Sequence, residues 1–219
     1  MTPIRSFIAA ACMAAVSACT TVMAPSQSGF LSSYATLSRG PDGSAVMRST
    51  TAIDPTRVTL GDIEWHASMS AGVSDEERRL LLRQLGGELV LRARDLPAAP
   101  QGRPAVLRAA ITHVETVSPA LNAVSALVLV VPLDRGGASV DIEAVDPDTG
   151  EQLAAITLGH FAPLSEFKAH FSRLAPAQLA LRKAAADFGV LLRPAVASAA
   201  EDHQRLPAPA LASLPTAAR

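Results

Sequence analysis

ASVDIEAVDPDTGEQLAAITLGHF, residues 138–161, is the stretch whose reading decides the fold. Val140, Ile142 and Ala144 alternate with Ser139, Asp141 and Glu143, the two-residue period of a strand with unlike faces. Asp146-Pro147-Asp148-Thr149-Gly150 then supplies turn chemistry. Asp bonds its own backbone, Pro presets φ and Gly accepts a positive φ. Residues 151–161 return as the next strand, so the pair reads as an antiparallel hairpin.

The flanking sequence extends this into a sheet with helices. Residues 106–117 (VLRAAITHVETV) read as a strand, and so do residues 57–65, whose phase slips at Gly61-Asp62, where a bulge fits. Ser74-Asp75-Glu76-Glu77 is a capping box that opens a helix to about Arg94. Leu82, Leu85, Leu89 and Ala93 share one face of that helix. Gly86-Gly87 weakens its middle by roughly 1 kcal/mol per Gly relative to Ala. Pro97, Pro100 and Pro104 mark a loop. Helical sequence resumes at Ser165 and starts afresh at Pro176, with Leu181, Ala184, Ala185, Phe188 and Leu192 along one face. This order predicts an α+β domain over residues 29–193, with a mixed or antiparallel sheet of about four strands and two or three helices packed on one face.

Composition narrows the function. The chain has 219 residues and a net charge of -1, which argues against nucleic-acid binding through bulk positive charge. Hydrophobic residues make up 49%, enough for a core, but aromatics only 4%, so Ala, Val and Leu must build it.

The first residues address the compartment. Arg5 precedes an apolar run from Phe7 to Val16 that is too short to span a bilayer, the pattern of a secretory signal over residues 1–18. Val16-Ser17-Ala18-Cys19 resembles the lipobox of bacterial lipoproteins, which implies acylation of the Cys19 thiol and cleavage before it. Cys12 falls inside the signal, so the mature chain keeps one Cys, and lipid occupies it. Thr20 stands where the enteric inner-membrane retention pattern has Asp, which implies the outer membrane, facing the periplasm. Residues 19–28 read as the lipidated Cys and a flexible tether. Residues 194–219, rich in Ala and Pro, read as a disordered tail.

Beyond the lipobox, the chain resembles the proteobacterial lipoproteins grouped as domain of unknown function 3313. The resemblance rests on Ser28-Gly29-Phe30-Leu31-Ser32-Ser33-Tyr34, Leu37 and Gly40-Pro41-Asp42-Gly43, then the strand to Trp65 and the capped helix. The hairpin with Asp146, Thr149-Gly150-Glu151 and Leu153-Ala154-Ala155 completes it, over residues 19–193. It implies an envelope location and a fold, and no catalytic residues.

Candidate chemistry is sparse. The histidines, His66, His113, His160, His170 and His203, form no HExxH, although His160 and His170 flank one loop with Glu166 between them. No metal and no cofactor are expected. Asp146-Pro147-Asp148-Thr149-Gly150 echoes the start of a calcium loop but lacks its later ligands, so it reads as a turn. No G-x-S-x-G elbow singles out a nucleophile. Tyr34 and Trp65 read as residues closing the edge of a core.

Residues 116–133 (TVSPALNAVSALVLVVPL) stand apart, eighteen positions without a charge. One reading is a buried crossover in which Pro119 starts a short helix and residues 127–131 form an inner strand. The other is an exposed interaction surface of Leu121, Val124, Leu127, Val128, Leu129, Val130 and Val131, held near the membrane by the anchor. The function expected is a non-enzymatic lipoprotein that binds or scaffolds an envelope component, protein or glycan. The alternatives are a carrier or sensor of a small apolar ligand or lipid and, behind that, a periplasmic hydrolase.

Overall fold

Six strands form one mixed sheet in the order β1-β2-β6-β5-β4-β3. They are β1 (Ser38–Arg39), β2 (Ala45–Met47), β3 (Ile53–Trp65), β4 (Arg103–Glu115), β5 (Gly137–Val145) and β6 (Gln152–Phe161). The helices are α1 (Asp75–Arg94), α2 (Pro119–Leu129) and α3 (Ala175–Leu191), with short 3-10 helices at Pro41–Gly43 and Phe167–Phe171. The structure is a computed structural model and describes residues 21–67, 72–129 and 134–194. Cys19, Val130 and Val131, the signal and all but the first residue of the expected tail lie outside the described residues.

The hairpin forms the centre of the sheet, with Ile142 opposite Ile156 and Val140 opposite Leu158. β4 pairs antiparallel to β5, and β3 pairs parallel to β4 because α1 carries the chain back to the starting end. The register of β3 shifts between Leu60 and Ile63, where the sequence phase slips. The α+β class and mixed sheet agree with the sequence. Among the described residues the strand count is six rather than about four, because β1 and β2 are two and three residues long and too short to show a period.

One face of the sheet carries the apolar core. Leu107, Ala109 and Ile111 of β4, Val140, Ile142 and Ala144 of β5, and Ile156 and Leu158 of β6 pack under α1 and α3. Leu81, Leu85, Leu89, Leu181 and Phe188 fill the space and are fully buried. Each such side chain stabilises the fold by about 1.5–3 kcal/mol.

Helix α1 begins as its sequence dictates. The Ser74 side chain accepts from the Glu77 amide, and the Glu77 carboxylate accepts from the Ser74 amide. Its buried positions are Leu81, Leu85, Gly86, Leu89 and Ala93, so the face is turned slightly and Leu81 replaces Leu82 as the deepest residue. The glycine pair divides in role. A Cβ on Gly86 would come within 3.2 Å of the Leu60 side chain on β3, whereas one on Gly87 would meet nothing within 4 Å. Gly87→Ala is accordingly expected to raise the urea midpoint, with a gain of about 0.5–1 kcal/mol, and Gly86→Ala to give no comparable gain. Equal gains at both sites would contradict the close approach of α1 to β3.

Candidate functional site

The opposite face of the sheet is polar at its centre, and the chain covers it with its own N-terminal segment. Ser139, Asp141 and Glu143 of β5 point away from the helices and are fully buried. They are the polar half of the alternation read in this strand, and residues 21–34 lie across them. Residues 21–28, expected as a free tether, are docked from Thr21 onward. The Thr21 carbonyl accepts from the Phe161 amide, Val22 bridges to His160, and the Met23 amide donates to the Gly159 carbonyl. A Cβ at position 159 would stand 2.5 Å from the Met23 carbonyl oxygen, so glycine there lets this segment lie close.

The seven residues from Ser28 to Tyr34 complete the cover. Asp141 Oδ2 accepts from the Ser28 amide at 3.1 Å, the Ser28 hydroxyl at 2.8 Å and the Tyr34 hydroxyl at 2.6 Å. The Tyr34 oxygen in turn accepts from the Gly29 amide at 3.0 Å, closing the segment on itself. Gly29 has φ +78°, which favours glycine. Glu143 accepts from the Ser32 amide at 2.9 Å, from Gln152 Nε2 at 2.7 Å and from Arg108 Nε at 2.8 Å. A buried carboxylate is tolerated only with donors in place: Glu143 finds them in Arg108, Gln152 and Ser32, and Asp141 takes those of Ser28 and Tyr34 on Oδ2 while its Oδ1 has no hydrogen-bond partner among the described residues. Asp141 and Glu143 are thus internal acceptors for the cover. The Phe30 ring lies under the Arg108 guanidinium, 5.5 Å from carbon to centroid.

Other sequence candidates find structural partners. Asp146 Oδ1 accepts from the Asp148 and Thr149 amides, and Arg103 grips Asp146, Thr149 and Glu151. Burial works against the ionised Asp146 carboxyl, but these amides and the guanidinium outweigh it and hold its pKa below the usual range. His170 is buried with Nε2 3.2 Å from the Pro163 carbonyl. Burial pushes the His160 pKa down, and the nearby Lys183 charge adds to this. Among the described residues no group of three or more His, Cys, Asp or Glu could hold a metal ion. A cleft of about 580 Å³ opens beside the N-terminal segment, lined by residues including Ser26, Ser28, His66, Thr112 and His113.

The uncharged stretch resolves into an inverted helix. α2 starts at Pro119 and continues to Leu129, so the inner strand expected from residue 127 does not form. Its buried residues are the polar ones, Asn122 and Ser125. Asn122 Nδ2 donates to the carbonyls of Asp134 and His170, and its Oδ1 accepts from the Asp134 amide at 2.8 Å. Leu121, Val124, Leu127, Val128 and Leu129 are exposed, Leu127 by 86% and Val128 by 73%. The expected buried crossover is corrected on this point. The helix reaches the rest of the fold through the 3-10 helix Phe167–Phe171 and turns its apolar residues outward. Among the described residues no helix is long and apolar enough to cross a membrane.

Tyr34 is the only tyrosine of the chain, so its titration reports directly on the cover. Burial raises its pKa above the ordinary 10.0, and the hydrogen bond to Asp141 raises it further. The neutral phenol is favoured in the fold, so this stabilisation is complete below pH 10 and is lost as pH rises through the folded pKa. Tyrosinate absorbance of the native protein is expected to titrate with a midpoint above 10.0 and to fall to 10.0 in urea. A native midpoint of 10.0 would show that the hydroxyl does not bond Asp141.

No curated protein matches the chain. Two solved structures of PelC from Paraburkholderia phytofirmans, both dodecamers, share 15% and 12% identity with it, with TM-scores of 0.38 and 0.39. The first, a leucine-to-methionine variant of PelC, covers 64% of this chain and 92% of its own, and the second 63% and 93%. At that distance the likeness carries no argument about function. The family described as "Protein of unknown function (DUF3313)" matches residues 26–188, from within the buried cover to the last core helix, and the chain belongs to that family.

Proposed function

We propose that the chain is a non-enzymatic lipoprotein of the bacterial envelope, acylated at Cys19, held in the outer membrane and facing the periplasm, where it binds or scaffolds an envelope component. The observation that carries this reading is the inverted amphipathicity of α2. A helix that buries Asn122 and Ser125 and exposes Leu121, Val124, Leu127, Val128 and Leu129 presents a surface for contact outside the domain. The buried acids support the non-enzymatic part, because Asp141 and Glu143 are occupied by the N-terminal cover. The anchor places the surface at high effective concentration near anything else in the same membrane.

Metabolic labelling with palmitate tests the anchor. The wild-type protein is expected to incorporate label and fractionate with the outer membrane, and Cys19→Ala to incorporate none. An unlabelled wild-type protein would overturn the reading, leaving a secreted domain without an attachment.

A further inference from the structure

We infer that the component met by α2 is the lipid leaflet that holds the anchor, so that the helix lies in the membrane interface and fixes the orientation of the sheet above it. This rests on the proposed acylation of Cys19 and deepens it by naming what covers the apolar face.

Position within the fold is the first ground. Cys19 is two residues from Thr21, so its Cα lies at most about 7 Å from that of Thr21. Thr21 is bonded to Phe161, the last residue of β6. Phe161 stands opposite Gly137, the first residue of β5, and Gly137 stands opposite Glu115, the last residue of β4. α2 is inserted between Glu115 and Gly137. The docked N-terminal segment and the exposed helix therefore leave the same end of the sheet, about three strand spacings or 15 Å apart across it. A free tether could place the anchor anywhere around the domain; a docked one cannot.

The chemistry of that end fits a leaflet. Residues 116–133 carry no charge, and the half-buried Asp134 carboxylate beside them accepts from the Ser118 amide at 2.6 Å. At 1.5 Å per residue α2 is about 16 Å long, suited to lying along the interface and too short to cross it. The exposed Phe167, on the 3-10 helix that supports α2, adds an aromatic ring at the same place. The hairpin turn at Asp148 lies beyond the opposite end of β5, whose eight residue steps span about 27 Å. The sheet then stands on the membrane with that turn outermost.

The test uses the full-length mature lipoprotein, in which a Leu127→Cys or Asp148→Cys substitution provides the only thiol free of lipid. Both positions are exposed, so neither change disturbs the core. Each variant is labelled with a nitrobenzoxadiazole fluorophore and reconstituted into phosphatidylethanolamine–phosphatidylglycerol vesicles with acyl-brominated lipid, and acylation is verified by mass spectrometry on the same sample. Quenching of at least about twofold at position 127, with none at 148, is expected for a helix seated among acyl chains. An acylated protein whose 127 label stays unquenched and open to iodide overturns the inference and leaves the anchor standing. An unquenched label shielded from iodide shows that protein, such as a second copy, covers the helix, and also overturns it. A protein without acyl chains removes the anchor reading and the inference together.

Discussion

Two carboxylates, Asp141 and Glu143, sit fully buried on the middle strand of the sheet, and the arrangement of the rest of the molecule follows from the need to satisfy them. An ionised carboxylate away from water is tolerated only with donors in place. Arg108 and Gln152 supply some for Glu143, and the segment from Ser28 to Tyr34 supplies the others for both acids. The sheet is thereby closed on one face by helices through apolar packing and on the other by its own N-terminal segment through hydrogen bonds. The first closure is non-directional; the second fixes one register of residues 21–34, because amides and hydroxyls must meet particular oxygens.

That register would give the proposed lipid anchor a fixed point of attachment. An anchor on a flexible linker tethers a domain without orienting it. Here the docked segment reaches Thr21 at the end of the sheet from which α2 projects, so under the proposed acylation orientation becomes a property of the fold. The same geometry accounts for the inverted helix. Its polar residues, Asn122 and Ser125, are used to hold it to the domain, and its Leu and Val residues remain outward, an arrangement that is costly in water.

The hairpin, the capped helix, the bulge at Gly61 and the restart at Pro176 were legible because each depends on neighbours within a few residues. The cover was not. Ser28 and Ser32 meet their acceptors 113 and 111 residues away, and a Ser-rich segment without period carries no local mark of such a partner. The alternation of β5 hinted at it, since an acidic strand face at the centre of a sheet must be solvated or covered, but it did not say by what. For residues 116–133 the count of apolar residues favoured burial, whereas the spacing of the polar ones, Asn122 and Ser125 on one helical face, pointed to the side that is inside. Composition was the weaker guide there and periodicity the stronger one.

The whole account depends on residues 21–34 being part of the fold. Hydrogen exchange of the native protein at the Ser28 and Ser32 amides tests this most directly, since these amides bond Asp141 and Glu143. Exchange slowed to the level of the β5 and β6 ladder is the result predicted. Exchange at the rate of an unstructured peptide would contradict it, returning the segment to a loose tether and leaving Asp141 without its donors and Glu143 with only Arg108 and Gln152.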